Sequence, residues 1–491
     1  MAVRMIRTLL LCGMASLPGM VRAAAPSPSG THEISGPGQE DLQKLIARGA
    51  YVARMADCAA CYTGADGTPY AGGYRIVSPL GAIIAKNISP SSEFGIGGWS
   101  EAEFARAVRK GVTPHGHLYP AMPYPAYGGM SDDDIHALYT YLTKAVRPVE
   151  RPALPVTKLP FPFSFRHLMI GWNALFARSR PARSGDMAPG SIERGRYLVE
   201  VTGHCSGCHT PRNALMAEDR SRHLAGAPVG GWFAPNITSD TVSGIGGWSE
   251  DELVTYLKTG SVAGKSQAAG GMAEAISHGL RHLEESDLRA IARYLRTVPP
   301  VRESGQSVPA YGVLSARPDD MDAYAFGRDR SAAAMADGSG TGGARIYLSA
   351  CASCHQLHGE GTGDQFFPSL FRNSSTGGPS ARNLVMAILK GVHRETDDGD
   401  VVMPAFSDEL NDAQIAAVSE YVLHRFGNSS LRVSAEDVAA LRAERQRSVL
   451  SEFSGVLGAA VACGVAALAG LYLLGAGRRA RAVMTISEEE D

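Results

Sequence analysis

Six of the eight cysteines fall into three pairs of identical spacing, Cys58/Cys61, Cys205/Cys208 and Cys351/Cys354. On a helix, residues three apart share a face, so two such thiols can join the two vinyl groups of one haem as thioethers. The residue that follows then offers its side chain to the iron. His209 and His355 take that place in Cys205-Ser206-Gly207-Cys208-His209 and Cys351-Ala352-Ser353-Cys354-His355. This five-residue pattern is the attachment signature of haem c. A disulfide, a thioredoxin-like dithiol or a zinc knuckle each accounts for paired thiols but not for the repeated imidazole. The first motif departs from the pattern, because Cys58-Ala59-Ala60-Cys61-Tyr62 puts a phenol where the imidazole belongs. Phenolate can ligate haem iron but favours Fe(III) and a low potential, so three states stay open there: a tyrosine-side haem, free thiols, or a disulfide.

A thioether sulfur as sixth ligand stabilises Fe(II) and suits an iron that moves electrons without binding oxygen. Its expected place is a loop before the last helix of each unit. Met403 in Met403-Pro404-Ala405-Phe406 and Met122 in Ala121-Met122-Pro123-Tyr124 sit there, the adjacent proline stiffening the loop. Met272 corresponds by repeat position, although Gly270-Gly271-Met272 lacks the proline. With 16 methionines in the chain, position rather than residue type singles out these three. Met130 is the alternative in the first unit, where His115 and His117 either replace the missing imidazole or are exposed loop histidines, the commoner reading. Trp99 and Trp248 lie between motif and methionine, as donors toward a propionate or as packing against a ring edge.

The elements that must hold these groups are repeated. Asn87-Ile88-Ser89 returns as Asn236-Ile237-Thr238, and Gly95-Ile96-Gly97-Gly98-Trp99-Ser100-Glu101 as Gly244-Ile245-Gly246-Gly247-Trp248-Ser249-Glu250, each 149 residues on. Each unit closes with a helical pattern, Asp134 to Leu142, Asp287 to Leu295 and Gln414 to Val422, with Ser131 and Ser286 suited to the first two N-termini. The proline-containing stretches Arg147 to Pro189 and Thr297 to Asp337 connect the units. The first holds Phe161, Phe163, Phe165, Trp172 and Phe176, too many aromatics for a free linker, which predicts packing on a domain or a partner.

The 491-residue chain is 44% hydrophobic and carries a net charge of -2, which excludes a disordered polymer, a polytopic membrane protein and a polyanion-binding surface; no nucleic-acid role is expected. The 56 glycines fit cores filled partly by porphyrin. Arg4, Arg7, an apolar stretch and Ala23-Ala24-Ala25 predict an export signal over 1–25. The uncharged 25 residues Phe453 to Gly477, followed by Arg478, Arg479 and Arg481, predict one membrane-crossing helix with everything before it outside.

Together these motifs resemble the cytochrome c subunits of the membrane-bound dehydrogenases of acetic acid bacteria and related proteobacteria. The most specific segments are Leu118-Tyr119-Pro120-Ala121-Met122-Pro123-Tyr124, the doubled Gly-Ile-Gly-Gly-Trp-Ser and Cys208-His209-Thr210-Pro211-Arg212-Asn213, within a similarity running from Leu42 to Arg425. The repeats and the resemblance together imply an all-α chain of three tandem small cytochrome c domains, at 41–146, 190–299 and 338–428, and the apolar stretch adds the single helix 453–477 with a cytoplasmic tail 478–491. It implies haem c with ligand pairs His209/Met272 and His355/Met403, and leaves the first domain, with Met122, dependent on Tyr62. It further implies electron transfer from a catalytic PQQ-, FAD- or molybdenum-type dehydrogenase subunit to ubiquinone, at the inner membrane with the haem domains on the periplasmic side.

No phosphate cradle, Ser-His-Asp set or dinucleotide fingerprint occurs, so oxidation of an organic substrate is assigned to another chain and no catalytic residue is expected here. The rival reading, a self-sufficient dihaem enzyme such as a peroxidase, needs an open sixth position, against which the methionines argue. A further alternative makes the first domain a haem-free docking module.

Overall fold

The computed structural model describes residues 37–78, 80–177, 187–313, 342–397 and 399–443. The chain divides into an N-terminal unit ending at Gln43, whose described residues are the first turns of the helix Pro37–Met55, and a second unit from Lys44 onward.

Within the second unit one pattern occurs three times: an entering helix, a short helix bearing the cysteine motif, a middle helix and a closing helix. The entering segments are the helix that ends at Met55, Ile192–Tyr197 continued by Leu198–Thr202, and Gly343–Ile346 continued by Tyr347–Cys351. The closing helices are Asp132–Lys144, Glu285–Leu295 and Asp412–Phe426. Entering and closing helices touch backbone to backbone in every copy. A Cβ on Gly49, Gly195 or Gly343 would stand 2.0, 1.9 or 2.3 Å from the carbonyl oxygen of Ala137, Ala290 or Ala417, and close to Cβ of Tyr141, Tyr294 or Tyr421. No residue larger than glycine fits that crossing. The aromatic that recurs in each closing helix is therefore the wall of a glycine notch.

The doubled sequence blocks are local caps. Ser100 and Ser249 each accept from the backbone N–H three residues on, and Glu103 and Glu252 return the bond to the serine N–H, so both copies open a middle helix with a capping box. Asn87 and Asn236 hold their own loops through Ser89 and Thr238 N–H, and donate to the carbonyls of Val149 and Val301 in the chain leaving the closing helices. Ser131 caps its closing helix as expected, whereas Ser286 lies inside a helix that begins at Glu285.

The all-α expectation is corrected by ten short strands among the described residues, paired as five antiparallel ladders. Runs such as Arg75–Ser78 and Gly81–Ile84 are too short to show period two against the helical periodicity around them, yet their β-branched residues pair across a tight turn. The longest ladder, Val392–Thr396 with Gly399–Met403, ends at the register pair Met403 and Val392, so a strand rather than a plain loop delivers that methionine. The predicted membrane helix 453–477, the tail and the leader 1–25 lie outside the described residues. Among the described residues no helix is long and apolar enough to cross a membrane, so an all-α chain with a terminal spanning helix is not what the structure supports.

Among the described residues the cores are two, not three. One runs continuously from Val52 to Val298 through the first two copies of the pattern, and the other joins Ile346 to Val438. The first two copies also exchange polar groups reciprocally. Buried Asp134 accepts from Arg48 of its own copy at 2.9 Å and from Tyr197 Oη of the next at 2.6 Å. Buried Asp287 accepts two parallel bonds from Arg194 of its own copy, at 2.9 and 2.6 Å, and one from Tyr51 Oη of the first at 2.7 Å. Each tyrosine oxygen in turn accepts the N–H of Ser131 or Glu284. Counted from the crossing glycine and alanine, the third copy has Gly342, Arg345 and Gln414 at these places, so it lacks the carboxylate and the phenol.

Gly195→Ala is expected to cost about 3 kcal/mol by overpacking, whereas Gly171→Ala, with nothing within 4 Å of its Cβ, should be neutral or slightly stabilising; urea melts of the two variants compare them. Tyr197→Phe removes a bond to a buried carboxylate and should cost about 2 kcal/mol, with Tyr51→Phe costing a similar amount in the same assay.

Candidate functional site

The three cysteine motifs start short helices, Cys58–Tyr62, Ser206–His209 and Ala352–His355. None of the six thiols is in a disulfide, and among the described residues no group of three or more His, Cys, Asp or Glu converges as a metal cage. Burial pushes the Cys58, Cys61 and Cys205 thiols up to about 12 and Cys351 up to about 11, so these sulfurs are held neutral. An uncharged thioether suits such surroundings, and a thiolate nucleophile or metal ligand does not.

The imidazoles are oriented by backbone. His209 Nδ1 lies 2.6 Å from the carbonyl of Pro235, and His355 Nδ1 lies 2.9 Å from the carbonyl of Pro368. A carbonyl only accepts, so each ring is fixed with its proton on Nδ1 and its Nε2 lone pair free. Burial pushes both imidazoles below the usual histidine range, which keeps them neutral and able to ligate. The loop that brings each proline back is closed by a left-handed glycine. Gly226 (φ +90) donates its N–H to the His209 carbonyl at 2.7 Å, and Gly361 (φ +68) donates to the His355 carbonyl at 3.0 Å. A side chain on Gly226 would strike the chain at Ala234, Pro235 and Asn236, and one on Gly361 would strike Phe367, Pro368 and Ser369. A c-type haem needs two neutral thiols, one lone pair behind them and a close-packed loop, and these residues fit it.

Tyr62 occupies the same place in the first copy. Its carbonyl accepts from left-handed Gly72 (φ +73) at 2.8 Å, and a Cβ on Gly72 would strike Lys86 and Asn87. The proline position is therefore taken by Lys86, and the first copy has changed both the imidazole and the residue whose carbonyl would orient it. The buried Tyr62 phenol is pushed well above its usual range, so phenolate is disfavoured by its surroundings. Sequence reasoning had the signal for this, because Lys86 stands 149 residues before Pro235, like the blocks beside it.

The predicted sulfur ligands lie on the same cores as their cysteines. Met122 and Met272 are half-buried against the first core, as are Cys58, Tyr62 and Cys205, and Met403 is half-buried against the second with Cys351. Met272 opens the helix Gly270–His278 rather than a loop. Met130 is a fully buried core residue whose carbonyl binds Arg109. His115 is exposed, while His117 stands edge-on to His167 at 6.3 Å. Trp248 packs against Tyr256 and Tyr311 with Lys265 over its ring, which is a packing role, and Trp99 is half-buried on the first core.

The motif reading missed His204, which directly precedes the second motif. Burial holds it neutral, pushed down to about 4, and its ring meets Tyr127 of the first copy edge-on at 5.5 Å. Tyr127 Oη in turn donates to the Ala56 carbonyl at 2.6 Å, two residues before Cys58. The first two motifs are thus joined by packed aromatic groups.

Thiol pairs on helix starts with a backbone-oriented imidazole beyond them define a c-type cytochrome. Residues 338–422 match the family model described as cytochrome c oxidase, cbb3-type, subunit III. The chain is 42% identical over 98% of both lengths to the fructose dehydrogenase cytochrome subunit of Gluconobacter japonicus. It is 37% identical to the cytochrome c subunit of the quinone alcohol dehydrogenase of Gluconobacter oxydans, over 82% of this chain and 83% of that one. It is likewise 37% identical to the gluconate 2-dehydrogenase cytochrome c subunit of Pantoea cypripedii, over 81% and 89%. The chain belongs to this family of dehydrogenase cytochrome c subunits: it binds haem c and is a non-catalytic electron-transfer subunit. The peroxidase alternative is not favoured.

Met403→Leu is expected to leave the haem-to-chain ratio unchanged while abolishing one sulfur-to-iron charge-transfer band and lowering one midpoint potential by on the order of 0.1 V, within the ~0.8 V that axial ligands command. Pyridine haemochrome assay and a redox titration check the two halves.

Proposed function

We propose that this chain takes electrons from a sugar-oxidising catalytic subunit and delivers them to ubiquinone, on the periplasmic side of the inner membrane. The observation that carries this reading is the match along 98% of both chains to a fructose dehydrogenase cytochrome subunit. The leader-like N-terminus and haem c motifs support an exported location.

The domain reading is three cytochrome c units at 41–146, 190–299 and 338–428. Cys205 and Cys208 with His209 and Met272, and Cys351 and Cys354 with His355 and Met403, hold one haem each. When bound, the haems supply one-electron couples. The chain's own residues do the rest: Pro235 and Pro368 carbonyls hold the histidine protons on Nδ1, the glycine loops exclude water from the proximal side, and the methionines favour the reduced state.

In the first unit Cys58, Cys61 and Met122 are retained beside Tyr62 and Lys86. A purified chain with two haems assigns that unit to docking, and one with three assigns it a tyrosine-side haem; mass spectrometry of the peptides around Cys58 and Cys61 reads the same difference. For the function itself, substrate-reduced catalytic subunit is expected to reduce the haem bands of the full chain and, with a soluble ubiquinone analogue, to sustain turnover. Substrate oxidation by this chain alone, or reduction of its haems without onward transfer to quinone, would count against the reading.

A further inference from the structure

The connector between the first two copies is held firmly and yet faces outward. Tyr119 Oη donates to the Phe163 carbonyl at 2.8 Å, Tyr124 Oη donates to Asn173 at 2.6 Å, and Trp172 Nε1 donates to the Leu215 carbonyl at 3.0 Å. Arg166 lies over the Tyr119 ring and donates to the His117 carbonyl. These bonds tie the segment to the loop carrying Met122. Its apolar side chains nevertheless point away. Of fourteen exposed large hydrophobics among the described residues, seven fall between Leu154 and Leu175, with Phe161 at 53%, Phe165 at 56%, Ile170 at 55% and Leu175 at 67% exposure.

The helix Leu168–Phe176 is apolar but for Asn173, which is turned to Tyr124, and has no buried residue. Such a helix ordinarily lies in a core or in lipid. Its nine residues rise about 13 Å, less than half the ~30 Å of a hydrocarbon layer, so it can lie on a bilayer but cannot cross one. The charge has one sign. No Asp or Glu occurs between Glu150 and Asp186, whereas Lys158, Arg166, Arg178, Arg180 and Arg183 do. Exposed Phe, Leu and Ile in a stretch of sequence with cationic but no acidic residues match an anionic lipid interface, where rings sit at headgroup depth and basic groups meet phosphate. A protein partner would ordinarily be met by a mixed-charge polar rim.

We propose that residues 154–177 form a peripheral docking face for an anionic lipid surface, seated beside the Met122 loop. This goes beyond the electron-transfer reading and is tested without any electron donor.

The test is amide hydrogen exchange on the haem-loaded full chain, read in peptides covering 160–177. Vesicles of phosphatidylglycerol and phosphatidylethanolamine should slow exchange in Leu168–Phe176 roughly tenfold, with a smaller effect from phosphatidylcholine vesicles or at high salt. The variant carrying F165S, I170S and L175S should lose the slowing while keeping the haem absorption spectrum; all three sites are exposed. Exchange unchanged by anionic vesicles, or slowed equally by neutral ones, overturns the proposal. So does slowing produced only by added catalytic subunit, which would make the face a protein contact.

Discussion

Everything in this chain rests on a backbone-to-backbone helix crossing made possible by one missing methyl group. Gly49, Gly195 and Gly343 let an entering helix lie against the carbonyl of an alanine in the closing helix, with a tyrosine as the side wall. That contact fixes the direction in which the chain arrives at each cysteine motif. With the arrival fixed, the thiols fall on one helix start and the loop behind them can return a proline carbonyl to the histidine. The crossing uses backbone rather than side chains.

Above that shared plan the copies diverge. The first two are locked by a crossed pair of carboxylates, each holding an arginine of its own copy and a tyrosine of the other, over one continuous core. The third keeps the crossing and the proline-oriented histidine but has its own core and no crossed carboxylate. The altered first motif thus sits inside the more tightly joined half. Its glycine loop matches those of the other copies, although a phenol stands where they carry the imidazole.

Much of the site was legible because its chemistry is local. Thiols three apart with an adjacent histidine need only a helix start to be meaningful, and a 149-residue offset between identical blocks needs no structure to be seen. What escaped the sequence shares a different property. The Pro235 and Pro368 carbonyls are backbone acceptors 26 and 13 residues from their histidines, with no side-chain signature of their own. The tyrosine exchanges span 63 and 236 residues. The short ladders were hidden by the helical periodicity around them, and Ser286 was misplaced by two positions because Glu284, which caps nothing with its side chain, precedes that helix.

The half-buried thiols carry a consequence for the order of manufacture. Cys58 and Cys205 lie against the core that the first two copies close together, held neutral by their surroundings. An attachment enzyme must reach those sulfurs with a porphyrin in hand, and the closed pair leaves Cys58 and Cys205 only partly exposed. Access to this half is widest before the crossed carboxylates engage, while the copies are still apart. The third copy closes over its own core and can be loaded on its own schedule.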